Sequence, residues 1–288
     1  MENDNSTFRR EDGIAGDKST ASVMTSAQKR HLKRQQSVLC ENLSFAASEA
    51  YKLLRANLQF TMQAGGTHLI GITSSNRGEG KSTTSINLAY SYAQSGKRVL
   101  LIDGDMRLPS VAGRLDLLQA PGLSNLLAGL CSERDALRVS HQLNNWFVLP
   151  SGDIPPNPSE LLSSDKMREL LEHFAKAFDI IIIDLPPIGI VSDALVVSPW
   201  TDGLIVVVRQ NYSDRRALKN SMYQIEKFNI KFLGFVMTDA SIGESGYKNY
   251  GKYSQRNSDY SYADRREAAS GRKSIDKAFK SAVFSEKK

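Results

Sequence analysis

The chain has 288 residues, 41% of them hydrophobic, and a formal net charge of +6, enough for one large α/β domain plus tails and too scattered in its basic excess to mark a nucleic-acid surface. Its two cysteines, Cys40 and Cys131, fit no metal spacing and suit a reducing cytosol. No secretory signal is expected at the polar N-terminus, and the apolar stretch 180–197 is broken by Asp184, Pro186, Pro187 and Asp193, which excludes a span of ~20 apolar residues, so a soluble protein is expected.

Residues 1–44 are polar and lack apolar periodicity, and predict a disordered arm. Its basic run at 29–34 is read as a solvated charge run. A domain is expected over 45–240. It opens with a helix in which Tyr51, Leu54 and Leu58 recur at helical spacing, with Leu53 and Phe60 beside them. The same helix places Glu49, Lys52 and Arg55 three apart on one face.

Short apolar runs then alternate with helical stretches. Strands are expected at 69–73, 98–102, 146–149, 180–183, 203–208 and 232–237, and helices at 81–95, 159–176 and 213–228. The strands are continuously apolar, which predicts a sheet buried on both faces. Alternation with helices makes it a doubly wound, mostly parallel α/β sheet.

The stretch "SSNRGEGKSTT" from Ser74 to Thr84 joins a predicted strand to a predicted helix. This is the context of a phosphate-binding loop. Backbone N–H groups from Arg77 to Ser82 can turn toward a phosphate at the helix N-terminus. Gly78 and Gly80 allow the close approach. Lys81 can reach the β- and γ-phosphates, and the Ser82 hydroxyl can ligate Mg²⁺. Ser75 stands where the usual pattern begins with glycine. The nucleotide-binding set is therefore Ser75, Asn76, Arg77, Gly78, Glu79, Gly80, Lys81, Ser82 and Thr83. Two acidic motifs end strands: Asp103 and Asp105, with Arg107 after them, and Asp184 before Pro186 and Pro187. In a parallel sheet these carboxylates converge with the loop on one edge, where they suit Mg²⁺ binding and proton transfer.

Together these motifs resemble those of the bacterial tyrosine kinases, the cytoplasmic enzymes of capsule and exopolysaccharide operons. The loop is similar to their Walker A motif, Asp103-Gly-Asp-Met-Arg107 to Walker A′ and Asp184-Leu-Pro-Pro187 to Walker B. Val148–Ser164 resembles the segment before Walker B, and the first helix resembles an interface helix that usually carries Glu-x-x-Arg-x-x-Arg, with Lys52 at its middle position here. The resemblance covers roughly 44–262 and implies an ATP- and Mg²⁺-dependent protein-tyrosine kinase of the P-loop NTPase fold. It implies that Lys81 binds phosphate, that Ser82, Asp103 and Asp184 hold the metal, that Asp103 or Asp105 takes or orients the tyrosine proton, and that Arg107 steadies a phosphate or carboxylate.

The last segment, 241–288, is rich in Gly, Ser, Tyr, Lys, Arg and Asp and predicts a second disordered tail. Tyr247, Tyr250, Tyr253, Tyr260 and Tyr262 are half of the chain's ten tyrosines. A flexible link of ten residues from Met237 to Tyr247 spans on the order of 17 Å, so the cluster starts near the nucleotide edge. It resembles the cluster that family members autophosphorylate in trans within a ring. The resemblance further implies a homo-oligomer when unphosphorylated, with Glu49, Lys52 and Arg55 at the interface. A separate membrane-anchored activator or chain-length determinant, a cognate tyrosine phosphatase, protein substrates in polysaccharide synthesis, and a place at the inner face of the plasma membrane follow from it too; nucleic acid is not an expected partner. The alternative is an ATPase switch of the partitioning or cell-division type, which shares the fold. Those proteins carry an extra lysine where this chain has Asn76, and they lack a terminal tyrosine cluster.

Overall fold

The computed structural model describes residues 39–62 and 65–240. The expected arm up to residue 38 and the expected tail with Tyr247, Tyr250, Tyr253, Tyr260 and Tyr262 lie outside the described residues. Described structure begins earlier than 45: Leu39 and Cys40 are buried, and the Cys40 N–H donates to Asn87 Oδ1 at 2.8 Å. Burial, with Glu41 adding to it, pushes the Cys40 thiol up to about 12.

Helix α1 (Phe45–Thr61) starts at Ser44, whose side chain accepts from the Ala47 N–H, a cap worth about 1 kcal/mol. Leu58 is buried, and Tyr51 and Leu54 pack beside it. Leu53 and Phe60 face outward, Phe60 at 91% exposure. Strand β1 (His68–Ser74) leads to α2 (Lys81–Gln94), then β2 (Val99–Asp103). Short helices α3 (Val111–Arg114), α4 (Leu123–Ala128) and α5 (Glu133–Ala136) precede β3 (Arg138–Val139) and β4 (Trp146–Leu149). Helices α6 (Pro158–Leu162) and α7 (Asp165–Ala175) lead to β5 (Ile180–Asp184). Then come α8 (Asp193–Val197), β6 (Gly203–Arg209), α9 (Arg215–Lys227) and β7 (Phe232–Thr238).

The single helix expected at 159–176 is two. Ser164 takes extended backbone and its side chain accepts from the Met167 N–H, starting α7 afresh. The two-residue strand β3 and the helices α3, α4, α5 and α8 are too short to leave a periodic signal.

The sheet order is β3-β4-β2-β5-β1-β6-β7. All pairings are parallel except β3 with β4. Both faces are buried at β1, β2, β4, β5 and β6, where the side chains alternate between them; the expectation fails at the edge strand β7, which is only partly covered and leaves Phe235 and Met237 exposed. Leu100, Ile102, Ile181 and Ile183 enter one core with α4 and α6–α9, while Val99, Leu101, Ile180 and Ile182 enter the other with α1 and α2. That alternation between two apolar environments is why the strands read as continuous apolar runs. The chain crosses from β5 to β6 on opposite sides of β1. The crevice beyond the carboxyl ends of these strands is where an open α/β sheet binds its ligand.

Candidate functional site

The loop after β1 turns through two glycines with left-handed backbone, Gly78 (φ 80°) and Gly80 (φ 99°). Both positions favour glycine, by backbone conformation and by crowding. A Cβ at Gly78 would lie 2.9 Å from Tyr212 Oη, and one at Gly80 would lie 3.1 Å from Thr238 Cγ2. Ser75 is fully buried and is not among the residues with positive φ. The first position of the motif therefore needs no glycine here.

Not all the loop side chains point to a ligand. Glu79 is fully buried and accepts from the Asn76 N–H at 2.9 Å and from the Ser213 hydroxyl. It ties the loop to itself and to the segment after β6. The Thr83 hydroxyl accepts from Arg114 Nη1 at 3.0 Å. The Ser82 hydroxyl lies 3.4 Å from Lys81 Nζ.

Lys81 begins α2, and its ammonium lies 2.8 Å from Asp105 Oδ2 and 3.5 Å from Asp184 Oδ2. Burial alone would lower its pKa. The carboxylates of Asp184, Asp105 and Asp103 reverse that, and the ammonium is held above the ordinary lysine value.

Asp103 and Asp184 end adjacent strands and are fully buried. Burial first, and the Asp184 charge second, push the Asp103 carboxyl up to about 7. Its Oδ2 accepts from the Ser110 and Val111 N–H groups at 3.1 and 3.0 Å, and its Oδ1 from the Asp105 N–H at 3.2 Å. Asp105 Oδ1 accepts from the Leu108 N–H at 3.0 Å. Asp184 Oδ1 lies 3.1 Å from Ser85 Oγ. Asp184 Oδ2 accepts no hydrogen bond and faces only the Lys81 ammonium. A buried carboxylate oxygen without a donor is costly and calls for a cation.

Among the described residues no cluster of three or more His, Cys, Asp or Glu is preformed to hold a metal. Mg²⁺ would need only one or two protein oxygens, taking the rest of its shell from phosphate and water. Asp184 Oδ2 and Ser82 Oγ fit that role more directly than Asp103, whose oxygens already carry three N–H bonds.

Arg107 has a different partner from a bound phosphate. Its Nε and Nη2 donate to Asp193 Oδ2 and Oδ1 at 2.9 and 3.0 Å, and Nη2 also donates to Ser159 Oγ at 3.0 Å. Asp193 is fully buried at the start of α8. The carboxylate that Arg107 steadies thus belongs to the chain itself, and the clamp joins the segment after β2 to α6 and α8. On α1, Lys52 Nζ lies 2.7 Å from Glu49 Oε1, both exposed. Arg55 instead donates through Nη1 to the Ser91 carbonyl and, at 3.3 Å, to Ser91 Oγ on α2.

Sequence reasoning missed three contributors. Asp193 carried no strand-end signal. Arg114 sits 31 residues beyond its partner Thr83; burial lowers its pKa while Asp184 and Asp103 oppose that shift. Ser85 was legible, one helical turn beyond Lys81 on the same face.

Residues 67–232 match a protein family described as an AAA domain. The chain is 35% identical over 209 residues to the tyrosine-protein kinase CpsD of Streptococcus agalactiae, covering 72% of this chain and 90% of that relative. It is similar to the kinase domain of the Escherichia coli tyrosine kinase ETK, with TM-score 0.66 and 32% identity over 72% of this chain and 82% of that one. A more distant likeness is to the septum site-determining protein MinD complexed with Mg-ADP, from Pyrococcus horikoshii. There the TM-score is 0.50 and the identity 26%, over 63% of this chain and 76% of that one.

Proposed function

The chain belongs to the family of bacterial tyrosine kinases, and from that premise we propose that it phosphorylates its own C-terminal tyrosines between subunits and so regulates capsular or exopolysaccharide synthesis and export. The activity itself, protein-tyrosine kinase, follows from the family. The acceptors Tyr247, Tyr250, Tyr253, Tyr260 and Tyr262, the transfer in trans and the pathway are this reading.

One observation carries it. The last described strand ends on the phosphate loop: Thr238 Oγ1 donates to the Glu79 carbonyl at 2.7 Å. The chain leaves toward the tyrosines from that contact, nine residues before Tyr247 (238 to 247). A flexible link of that length would let the first proposed acceptor reach its own nucleotide site or a neighbour's.

In this reading the loop N–H groups and Lys81 hold the β- and γ-phosphates of ATP. Mg²⁺, held by Ser82 and Asp184 with Asp103 beside them, would neutralise charge on the transferred group. The tyrosine oxygen forms a bond to the γ-phosphorus, the bond from that phosphorus to the bridging oxygen breaks, and ADP leaves. The phenolic proton passes to a carboxylate. Asp103 or Asp105, the carboxylates at the end of β2, would accept it. Each phosphate adds about −1.5 to −2 charges to a basic tail and would repel neighbouring subunits of a ring.

No helix among the described residues is long and apolar enough to cross a membrane. Recruitment to the inner membrane face through a membrane-anchored activator, and reset by a cognate phosphatase, belong to the same proposal. Asn76, in place of the lysine of partitioning-type switches, argues against the ATPase alternative.

The test mixes two proteins with labelled ATP. One carries Lys81→Met and an intact tail; the other has Phe at all five tail tyrosines and an intact site. Label on the Lys81→Met chain is the expected result and shows transfer between subunits. A five-Phe protein that labels itself as strongly as the unsubstituted chain would place the acceptors elsewhere.

A further inference from the structure

The three consecutive carbonyls of the phosphate loop are each engaged from outside it. The Arg77 carbonyl accepts from Tyr212 Oη at 3.2 Å, the Gly78 carbonyl from Arg209 Nη1 at 3.3 Å, and the Glu79 carbonyl from Thr238 Oγ1 at 2.7 Å. All three donors come from the carboxyl ends of β6 and β7 or the turn after β6. Two further contacts organise the donors. The Arg209 guanidinium stacks 5.1 Å above the Tyr212 ring, and the Arg209 backbone N–H donates to Ser213 Oγ, whose hydroxyl donates to Glu79.

A phosphate loop works by presenting N–H groups to the anion. Peptide planes are rigid, so presenting an N–H inward means holding the neighbouring carbonyl outward. The partly buried Glu79 carbonyl finds its donor in Thr238, while the exposed Arg77 and Gly78 carbonyls take theirs from Tyr212 and Arg209, which fix an orientation that exchanging water would leave free. Gly78 and Gly80 remove the steric barrier to that arrangement but supply no energy in its favour. The donors do.

We propose that Tyr212, Arg209 and Thr238 are positioning residues for phosphate recognition: an external brace that orients the peptides of the phosphate loop. The proposal rests on the nucleotide reading of this site and adds to it residues that act through the loop backbone. Arg209 also pairs with Asp239 at 3.0 Å, so the brace extends to the residue that follows β7.

The test compares ligands that differ only in phosphate. Tyr212→Phe keeps the ring and the stacked guanidinium but loses the donor. Thr238→Val loses the hydroxyl, and Thr238→Ser keeps it. ADP affinity is expected to fall about 3- to 10-fold in Tyr212→Phe and in Thr238→Val, to fall further when both are combined, and to stay near the starting value in Thr238→Ser. Adenosine affinity is expected to be unchanged throughout, and the KM for ATP to rise more than kcat falls. A purely structural role would lower thermal stability without separating ADP from adenosine. The brace is overturned if ADP and adenosine weaken equally, which would assign Tyr212 to the base, or if ADP binding is unchanged in the double variant. Failure of the unsubstituted chain to bind ADP would remove the nucleotide reading and the brace with it.

Discussion

Asp103 and Asp184 are register partners on the adjacent parallel strands β2 and β5, so two fully buried carboxylates end side by side at the phosphate loop. Neither strand end alone dictates this. The pair raises the proton affinity of Asp103 because burial and a like charge both disfavour its ionised form.

The first prediction is a titration. In the nucleotide- and metal-free protein, the ¹³C carboxyl resonance of Asp103 should titrate with a midpoint near 7. Added Mg-ADP should lower that midpoint, because a cation favours the carboxylate. The sign for stability follows: a raised folded pKa favours the folded state least once pH exceeds it. This group's penalty is absent below about pH 4, grows as pH rises, and is complete above 7. A midpoint near the ordinary aspartate value of about 4 would contradict the electrostatic picture.

Lys81→Met should abolish phosphorylation, but it should not be silent for folding. Lys81 is the first residue of α2 and the cation for Asp105 and Asp184. Removing it leaves buried like charges, at a cost of about 2–4 kcal/mol at pH 8. The carboxylates of the variant regain protons as pH falls, so the loss should be smaller at pH 5. Thermal melts of both proteins at the two pH values check this; equal losses at both would count against the ion cluster.

Arg107→Ala should destabilise the protein by about 2–4 kcal/mol, since it strands the buried Asp193 carboxylate. Arg107→Lys should recover only part, because an ammonium cannot reproduce the two-pronged contact. Denaturant unfolding gives both values. Full rescue by lysine would mean that charge alone, not the fork, holds α8.

Glu49 and Arg55 on α1 should behave differently from one another. Glu49→Ala breaks an exposed pair and should change monomer stability by less than about 0.5 kcal/mol. Arg55→Ala loses the contact to Ser91 and should cost about 1–2 kcal/mol. Reversing charge at both positions should shift an assembled form toward monomer if this face meets a neighbour. Light scattering reads the mass, and an unchanged mass would confine Arg55 to its contact within the chain.

The sequence by itself determined every strand but the two-residue β3, the phosphate loop and the positions of Asp103, Asp105 and Asp184. These signals are local: a strand buried on both faces must be continuously apolar, and a loop that approaches phosphate must carry glycine next to Lys81. Tertiary structure alone decided what those residues touch. The order of parallel strands sets Asp103 against Asp184, 81 positions away (103 to 184). Arg107 finds Asp193, Arg55 finds Ser91, and the carbonyls of Arg77, Gly78 and Glu79 find Tyr212, Arg209 and Thr238. None of these pairs lies within one element. An arginine or a threonine has no partner written beside it in the chain, because its hydrogen bond depends on distance in space, and crossover connections in a parallel sheet bring together residues that are remote in sequence.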